Sequence, residues 1–146
     1  MLKEKLTGTW RLVSWETRNS DGAVSRPYGK NPIGQIMYDP RGHMSAAIMR
    51  RDRPKFAVPD KFRGEAAEIK SAFDGFECYF GTYQVDEVEK TVTHRVEGSL
   101  FPNITGSGLK RFVDISGATL TLSTPAIRYG GSLIVAVLVW ERKPPV

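Results

Sequence analysis

Apolar and polar residues alternate along this chain in short runs separated by turn-forming residues, the period-2 pattern of strands with one buried face. Gly8 to Glu16 (GTWRLVSWE) is the first such run. Asn19 to Gly22 ends in Asp-Gly and predicts a hairpin turn, with Ala23 to Pro27 as the return strand. Gly34 to Tyr38 and His43 to Met49 flank Asp39-Pro40-Arg41-Gly42, a composition suited to a type I turn. With Tyr38 opposite His43, Ile36 would face Ser45. Tyr79 to Val85 and Thr91 to Ser99 form a further hairpin across the charged Asp86 to Lys90 stretch. Leu109 to Ile115 and Ala118 to Thr124 surround Ser116-Gly117, and Leu133 to Arg142 is a nearly continuous apolar run that reads as the last strand.

One segment breaks the β period. Glu65 to Phe76 places Ala66, Ile69, Phe73 and Phe76 at helical spacing, with Gly75 as its stop. Its apolar stripe is expected to cover an opening or to pack on the outside of a sheet. The preceding Arg50 to Gly64 stretch holds two prolines and many charges. It reads as a loop, of which Arg50 to Arg63 is expected to act as a mobile flap near an opening. About eight to ten strands in consecutive hairpins, one short helix and no long βαβ crossover predict an all-β fold. An antiparallel up-and-down barrel explains the long strands, because closing the sheet removes exposed edges; a two-layer sandwich is the alternative.

Hairpin parity selects the candidate site. With Glu87 to Lys90 as the turn, Gln84, Thr82 and Phe80 are assigned to the face of Val92, His94 and Val96, and Tyr83 to the opposite face. His94 is expected to point inward, and Glu97 outward, so a His94–Glu97 dyad would need a bulge. Across Ser116-Gly117, Ile115 is expected to face Ala118, Val113 to face Leu120, and Arg111 to face Leu122. Arg111 therefore falls on the apolar face, where it could bind a ligand carboxylate.

Two function classes follow. The first is a binding module whose cavity is lined by Phe80, Val92, Val96, Val113, Leu120 and Leu122, with His94, Arg111 and Tyr38 as polar contacts, taking a small hydrophobic or weakly acidic molecule. The alternative is a cofactor-independent enzyme of isomerase, cyclase or dehydratase type. His94, with a pKa near neutrality, would be its general acid or base, and Tyr38 or Tyr83 would orient the substrate. Binding stands first because no second catalytic group can be placed beside His94. A filled barrel serving only protein contacts is the third reading.

Composition narrows these classes. The 146 residues suit one domain spanning 1–146, and 40% hydrophobic with 25% charged residues is ordinary globular usage. No run approaches the ~20 apolar residues of a membrane span. MLKEKLTGTW lacks an apolar signal core, so a cytoplasmic location is expected. The net charge of +5 invites comparison with nucleic-acid binders. The basic residues concentrate only partly, at Arg50, Arg51, Arg53, Lys55, Lys61 and Arg63, and are diluted by Asp52 and Asp60. No nucleic-acid partner is expected. Cys78, the single cysteine, reads as a small buried thiol. His94, His43 and Cys78 lack the spacing of a metal site, and neither a metal nor a cofactor is expected. Haem ligation by His94 or His43 is the one such alternative that a barrel leaves. Self-association stays open.

The segments GTWRLVSWE, PYGKNPIGQIMYDPRGHMSAAIMRRDRPKF, YFGTYQVD, VTHRVEGSLFPN, LKRF and LVWERK together resemble the lipocalin-like domain family, over nearly the whole chain. YDPRGHMS and THRVEGSLFPN are the most specific pieces. The resemblance implies a calycin-type barrel. For Trp10 it implies the role of the Gly-x-Trp tryptophan, closing one end of the barrel beneath a basic side chain that Arg111 or Arg142 could supply. It implies no settled activity. Trp15 and Trp140 read as structural.

Overall fold

Each alternating run becomes a strand in the computed structural model, which describes residues 1–146. The elements are α1 (Leu2–Leu6), β1 (Gly8–Asn19), β2 (Val24–Ser25), β3 (Ile33–Tyr38), β4 (His43–Met49), α2 (Ala66–Asp74), β5 (Phe76–Asp86), β6 (Thr91–Ser99), β7 (Gly108–Ser116), β8 (Thr119–Ser123), β9 (Ile127–Tyr129) and β10 (Ser132–Arg142). Strands β1, β3 to β8 and β10 pair antiparallel with their neighbours, and pairing of β1 with β10 closes an eight-stranded barrel. Closure excludes the sandwich and leaves no long free edge. The short β2 and β9 extend the ring beside β1 and β10.

Along β1 the inward set changes from Trp10 and Leu12 to Trp15 and Thr17, all buried. A bulge between Leu12 and Ser14 makes this possible, because one extra residue reverses strand parity. The core runs through Trp10, Leu12, Ile36, Tyr38, Val92, Leu120 and Trp140.

One end of the barrel is sealed. The helical turn α1, which has no counterpart in the sequence reading, buries Leu6 there, and the Glu87 carboxylate accepts from the N–H groups of Leu2 (2.8 Å) and Lys3 (3.2 Å) at its start. Trp10 Nε1 donates to the Leu6 carbonyl at 2.9 Å. The basic side chain over Trp10 belongs to Arg142, whose guanidinium lies 4.1 Å from the ring centroid. It also donates to the carbonyls of Thr7 (2.9 Å) and Lys5. Arg142 pairs directly with Trp10 across β10 and β1, whereas Arg111 sits on β7, away from that pair.

Two registers differ from the expected ones. Tyr38 pairs with Met44 and Ile36 with Ala46, because Asp39 N–H bonds to the His43 carbonyl (2.9 Å) and lengthens the loop by one residue. His43 is consequently exposed. Ile115 pairs with Leu120 and Val113 with Leu122, because Gly117-Ala118 form the turn, with Gly117 at φ 59°. That slip is even-numbered, so the inward face of β7 and β8 stays as expected.

The helix expected over Glu65 to Phe76 forms as α2, opened by a Glu65/Glu68 capping box. It lies against β5, none of its residues is buried, and Ile69 and Phe73 stay largely exposed. The Arg50 to Gly64 loop is tied to it by Arg50 N–H to the Gly75 carbonyl (2.9 Å), Arg53 Nη1 to the Ala72 carbonyl (3.1 Å) and Ala57 N–H to Glu68 Oε2 (2.8 Å). Cys78 is half-buried on the outer face of β5 rather than in the core, since even-numbered residues of that strand point outward. No helix is long and apolar enough to cross a membrane.

Candidate functional site

Opposite α1 the barrel encloses a cavity of about 360 Å³, within the range of small-molecule sites. Of its 19 lining residues 14 are hydrophobic, so an occupant must bury mostly apolar surface. Its walls come from Trp15 on β1, Ala46 and Ile48 on β4, Glu77 and Tyr79 on β5, His94 on β6, Leu109 and Arg111 on β7, Leu122 on β8, and Ala136, Leu138 and Trp140 on β10. Tyr28, Phe101, Ile104, Thr124 and the β9 residues Ile127, Arg128 and Tyr129 complete it.

The β5–β6 hairpin decides which side chains meet His94. Its four-residue turn joins Asp86 to Thr91, an even to an odd number, so Val85 pairs with Val92 and Tyr83 with His94. The odd-numbered residues of β5 therefore face inward, contrary to the expected assignment of Gln84, Thr82 and Phe80. Phe80 is 54% exposed on the outer face, with its ring over Gly98, where a Cβ would fall 2.6 Å from it. A bulge follows, pairing Gly81 with Val96 and Phe80 with Gly98 and leaving Glu97 as the extra residue. The bulge that a His94–Glu97 dyad requires is thus present, yet Glu97 is exposed and no dyad forms. A Cβ on Gly81 would lie 1.9 Å from the Arg95 carbonyl oxygen, so only glycine fits there.

His94 is fully buried between two tyrosines. The Tyr38 hydroxyl is 2.7 Å from Nε2 and the Tyr79 hydroxyl 2.8 Å from Nδ1. Burial, reinforced by the charge of Arg111, lowers the His94 pKa from 6.5 to about 3, so the expected near-neutral pKa does not hold. A neutral imidazole has one donor and one acceptor. Tyr38, itself buried and with its hydroxyl pKa pushed well up by desolvation, has Nε2 as its one partner, so its O–H is satisfied only in the tautomer in which it donates there. In that tautomer His94 carries its proton on Nδ1 and donates to the Tyr79 oxygen, which leaves the Tyr79 O–H for the cavity. Burial also raises the Tyr79 pKa, and the Arg111 charge opposes that rise. Arg111 lines the cavity while donating to the Lys110 carbonyl at 2.9 Å.

Of the sequence-selected residues, His94, Arg111 and Leu122 line the cavity. Val92, Val113, Leu120, Tyr38 and Tyr83 are core residues that lie outside its lining, and Val96 is buried opposite Gly81. Tyr83 donates its hydroxyl to the Asp39 carbonyl (2.6 Å) and packs edge-on against Tyr38, so it does not orient anything in the cavity. His94 has both ring nitrogens engaged and His43 is exposed, so neither offers a haem ligand there. Sequence reasoning missed Tyr79, Glu77, Trp15, Tyr28, Tyr129 and Trp140 as wall residues. Correct pairing across Asp86 and Thr91 would have exposed Tyr79 and Glu77. Tyr28, in a loop, and Tyr129, on the three-residue β9, carry no useful periodicity. They pack on Trp15 at centroid distances of 5.1 and 5.4 Å.

Comparison with known proteins agrees with this architecture. Residues 7–143 match the lipocalin-like domain family. A curated relative from Aspergillus oryzae (strain ATCC 42149 / RIB 40), the 4'-hydroxy-3'-methoxypropiophenone carrier protein, is 33% identical over 109 residues, covering 69% of this chain and 97% of the relative. No solved structure matches the chain significantly. With the family match spanning nearly the whole closed barrel and Trp10 sealed under Arg142, the chain belongs to the lipocalin-like domain family.

Proposed function

We propose that this protein binds and carries one small hydrophobic or weakly acidic molecule in the barrel cavity. The observation that carries this reading is the mostly apolar cavity of about 360 Å³, in which polar groups such as the Tyr79 hydroxyl and the Arg111 guanidinium stand on an otherwise hydrophobic wall. Apolar walls with a few placed polar groups give affinity through burial and orientation through hydrogen bonds. Arg111 favours a ligand oxygen that carries full or partial negative charge. The ligand in the relative's name, a phenolic ketone, has that character, and it supports a carrier role here. His94 is neutral, buried and engaged at both nitrogens, which supports binding ahead of general acid–base catalysis.

Tryptophan emission tests the proposal, because Trp15 and Trp140 line the cavity. Titration with 4'-hydroxy-3'-methoxypropiophenone should quench it saturably at one site per chain. Ala136→Phe, which places a ring in the cavity, should abolish the effect, and Arg111→Met should weaken binding by about tenfold while the protein stays folded. Absence of saturation, or unchanged binding by Ala136→Phe, would refute the reading.

A further inference from the structure

Two side chains on the cavity wall bury a polar atom that has no protein partner. Trp140 is 1% exposed and its Nε1–H meets no acceptor, and Glu77 buries Oε1 without a hydrogen-bond partner, the neighbouring Cys78 N–H being close enough only to lower the carboxyl pKa. Leaving such an atom unpaired costs about 1–3 kcal/mol, and native folds leave few. Where an indole serves the sealed end, the fold does provide the partner, as with Trp10 and the Leu6 carbonyl at 2.9 Å. The two unpartnered atoms therefore point to a ligand.

They stand at different depths. Trp140 pairs with Leu12 on one side and Leu120 on the other, both deep core residues, so it belongs to the inner end of the cavity. Glu77 is the second residue of β5, pairs with Ile48 near the end of β4, and lies close enough to Tyr28 and Tyr129 for its charge to raise both hydroxyl pKa values. It belongs to the mouth. Tyr79 follows two residues further in, ~6.6 Å along the strand, a span comparable to one benzene ring with a substituent at each end. The small side chains of Ala46 and Ala136 face the space between.

We infer that the cavity takes a flat aromatic molecule with a hydrogen-bond acceptor such as a carbonyl at its inner end, received by Trp140 Nε1–H and the Tyr79 O–H, and a hydroxyl at its outer end, donated to Glu77 Oε1. The inference rests on the binding reading above and adds the two anchoring residues and the order of the ligand's polar groups. A hydroxyl suits Glu77 better than an ammonium group, because desolvation there disfavours charge and raises its pKa.

Three probes separate the two ends: 4-hydroxyacetophenone, 4-methoxyacetophenone with the hydroxyl capped, and 4-ethylphenol with the carbonyl removed. Calorimetric titration of the wild-type protein should show 4-hydroxyacetophenone binding about tenfold more tightly than either analogue, since removing one partner strands the other. Glu77→Ala should abolish the preference over 4-methoxyacetophenone and keep that over 4-ethylphenol. Trp140→Phe should do the reverse. Affinity ratios within one variant are independent of how much of it is folded, so lost stability does not mimic the result. Equal binding of all three probes by the wild-type protein, or ratios that neither substitution changes, would overturn the anchoring scheme and leave the binding reading intact. No saturable binding of any probe would overturn both.

Discussion

Enclosed by the Tyr38 and Tyr79 hydroxyls, His94 loses its water and gains no counter-charge, while Arg111 opposes a second positive charge nearby. Its folded pKa of about 3 lies below the ordinary 6.5, so between those limits the unfolded chain binds the extra proton. Stability from this residue is therefore complete above about pH 6.5 and is lost as the pH falls towards 3, by on the order of 4 kcal/mol over the window. Urea unfolding at pH 7, 5.5 and 4 measures this. The wild-type protein should lose stability steeply, whereas His94→Gln, which keeps a donor and an acceptor for the two tyrosines, should start less stable and decline less. Tyr38 and Tyr79 stay neutral throughout that range, since burial raises both hydroxyl pKa values. Glu77, whose pKa is raised, titrates with the opposite sign and is common to both proteins. Parallel declines would show that His94 is not the group responsible.

Bulges set the site at the level of elements. The break in β6 at Glu97 lets Gly81 approach the Arg95 carbonyl, and along β5 it leaves Tyr79 and Tyr83 on one inward face, with Tyr79 against His94. Gly81→Ala puts a Cβ against main chain that cannot yield without parting β5 from β6. A loss of about 3 kcal/mol is expected, read as a fall in Tm of roughly 10 °C, together with weakened ligand binding. Gly117→Asn is the contrasting case, since Gly117 has φ 59°, open space around it and a turn that accepts asparagine. Thermal melts of the two should differ sharply, and a Gly81→Ala melt matching that of the wild-type protein would contradict the proposed constraint.

As a whole molecule the barrel is asymmetric. One end is sealed by α1, Trp10 and Arg142, and the other carries the cavity and the longer loops. Between Arg51 and Gly64 the main-chain bonds are those of Asp60 N–H to Val58 and Arg63 N–H to Asp60, while β1 and β10 pair along nearly their whole length. Hydrogen exchange monitored by mass spectrometry should find the Arg51 to Gly64 amides opening at least a thousand-fold more readily than those of β1 and β10. Slow exchange in that segment, comparable with the strands, would remove the case for a flap.

Local information reached far in this chain because alternation, turn chemistry and helical spacing are properties of neighbouring residues. Strand runs, the α2 segment, the inward set of β7 and β8 including Arg111, and His94 between two buried valines were all legible that way. Family resemblance added the role of Trp10. Other features arise only when β1 closes on β10, which brings residues near the two ends of the chain into one wall. Closure selected Arg142 over Arg111 for Trp10. It also set Trp15, Glu77, Tyr79 and Trp140 around one space and removed the water that would have kept His94 near its ordinary pKa. The bulges at β1 and β6 were illegible because one inserted residue leaves the local pattern almost unchanged while reversing which face every later side chain occupies. Burial and electrostatics depend on the sum of distant neighbours, and that sum exists only in the folded barrel.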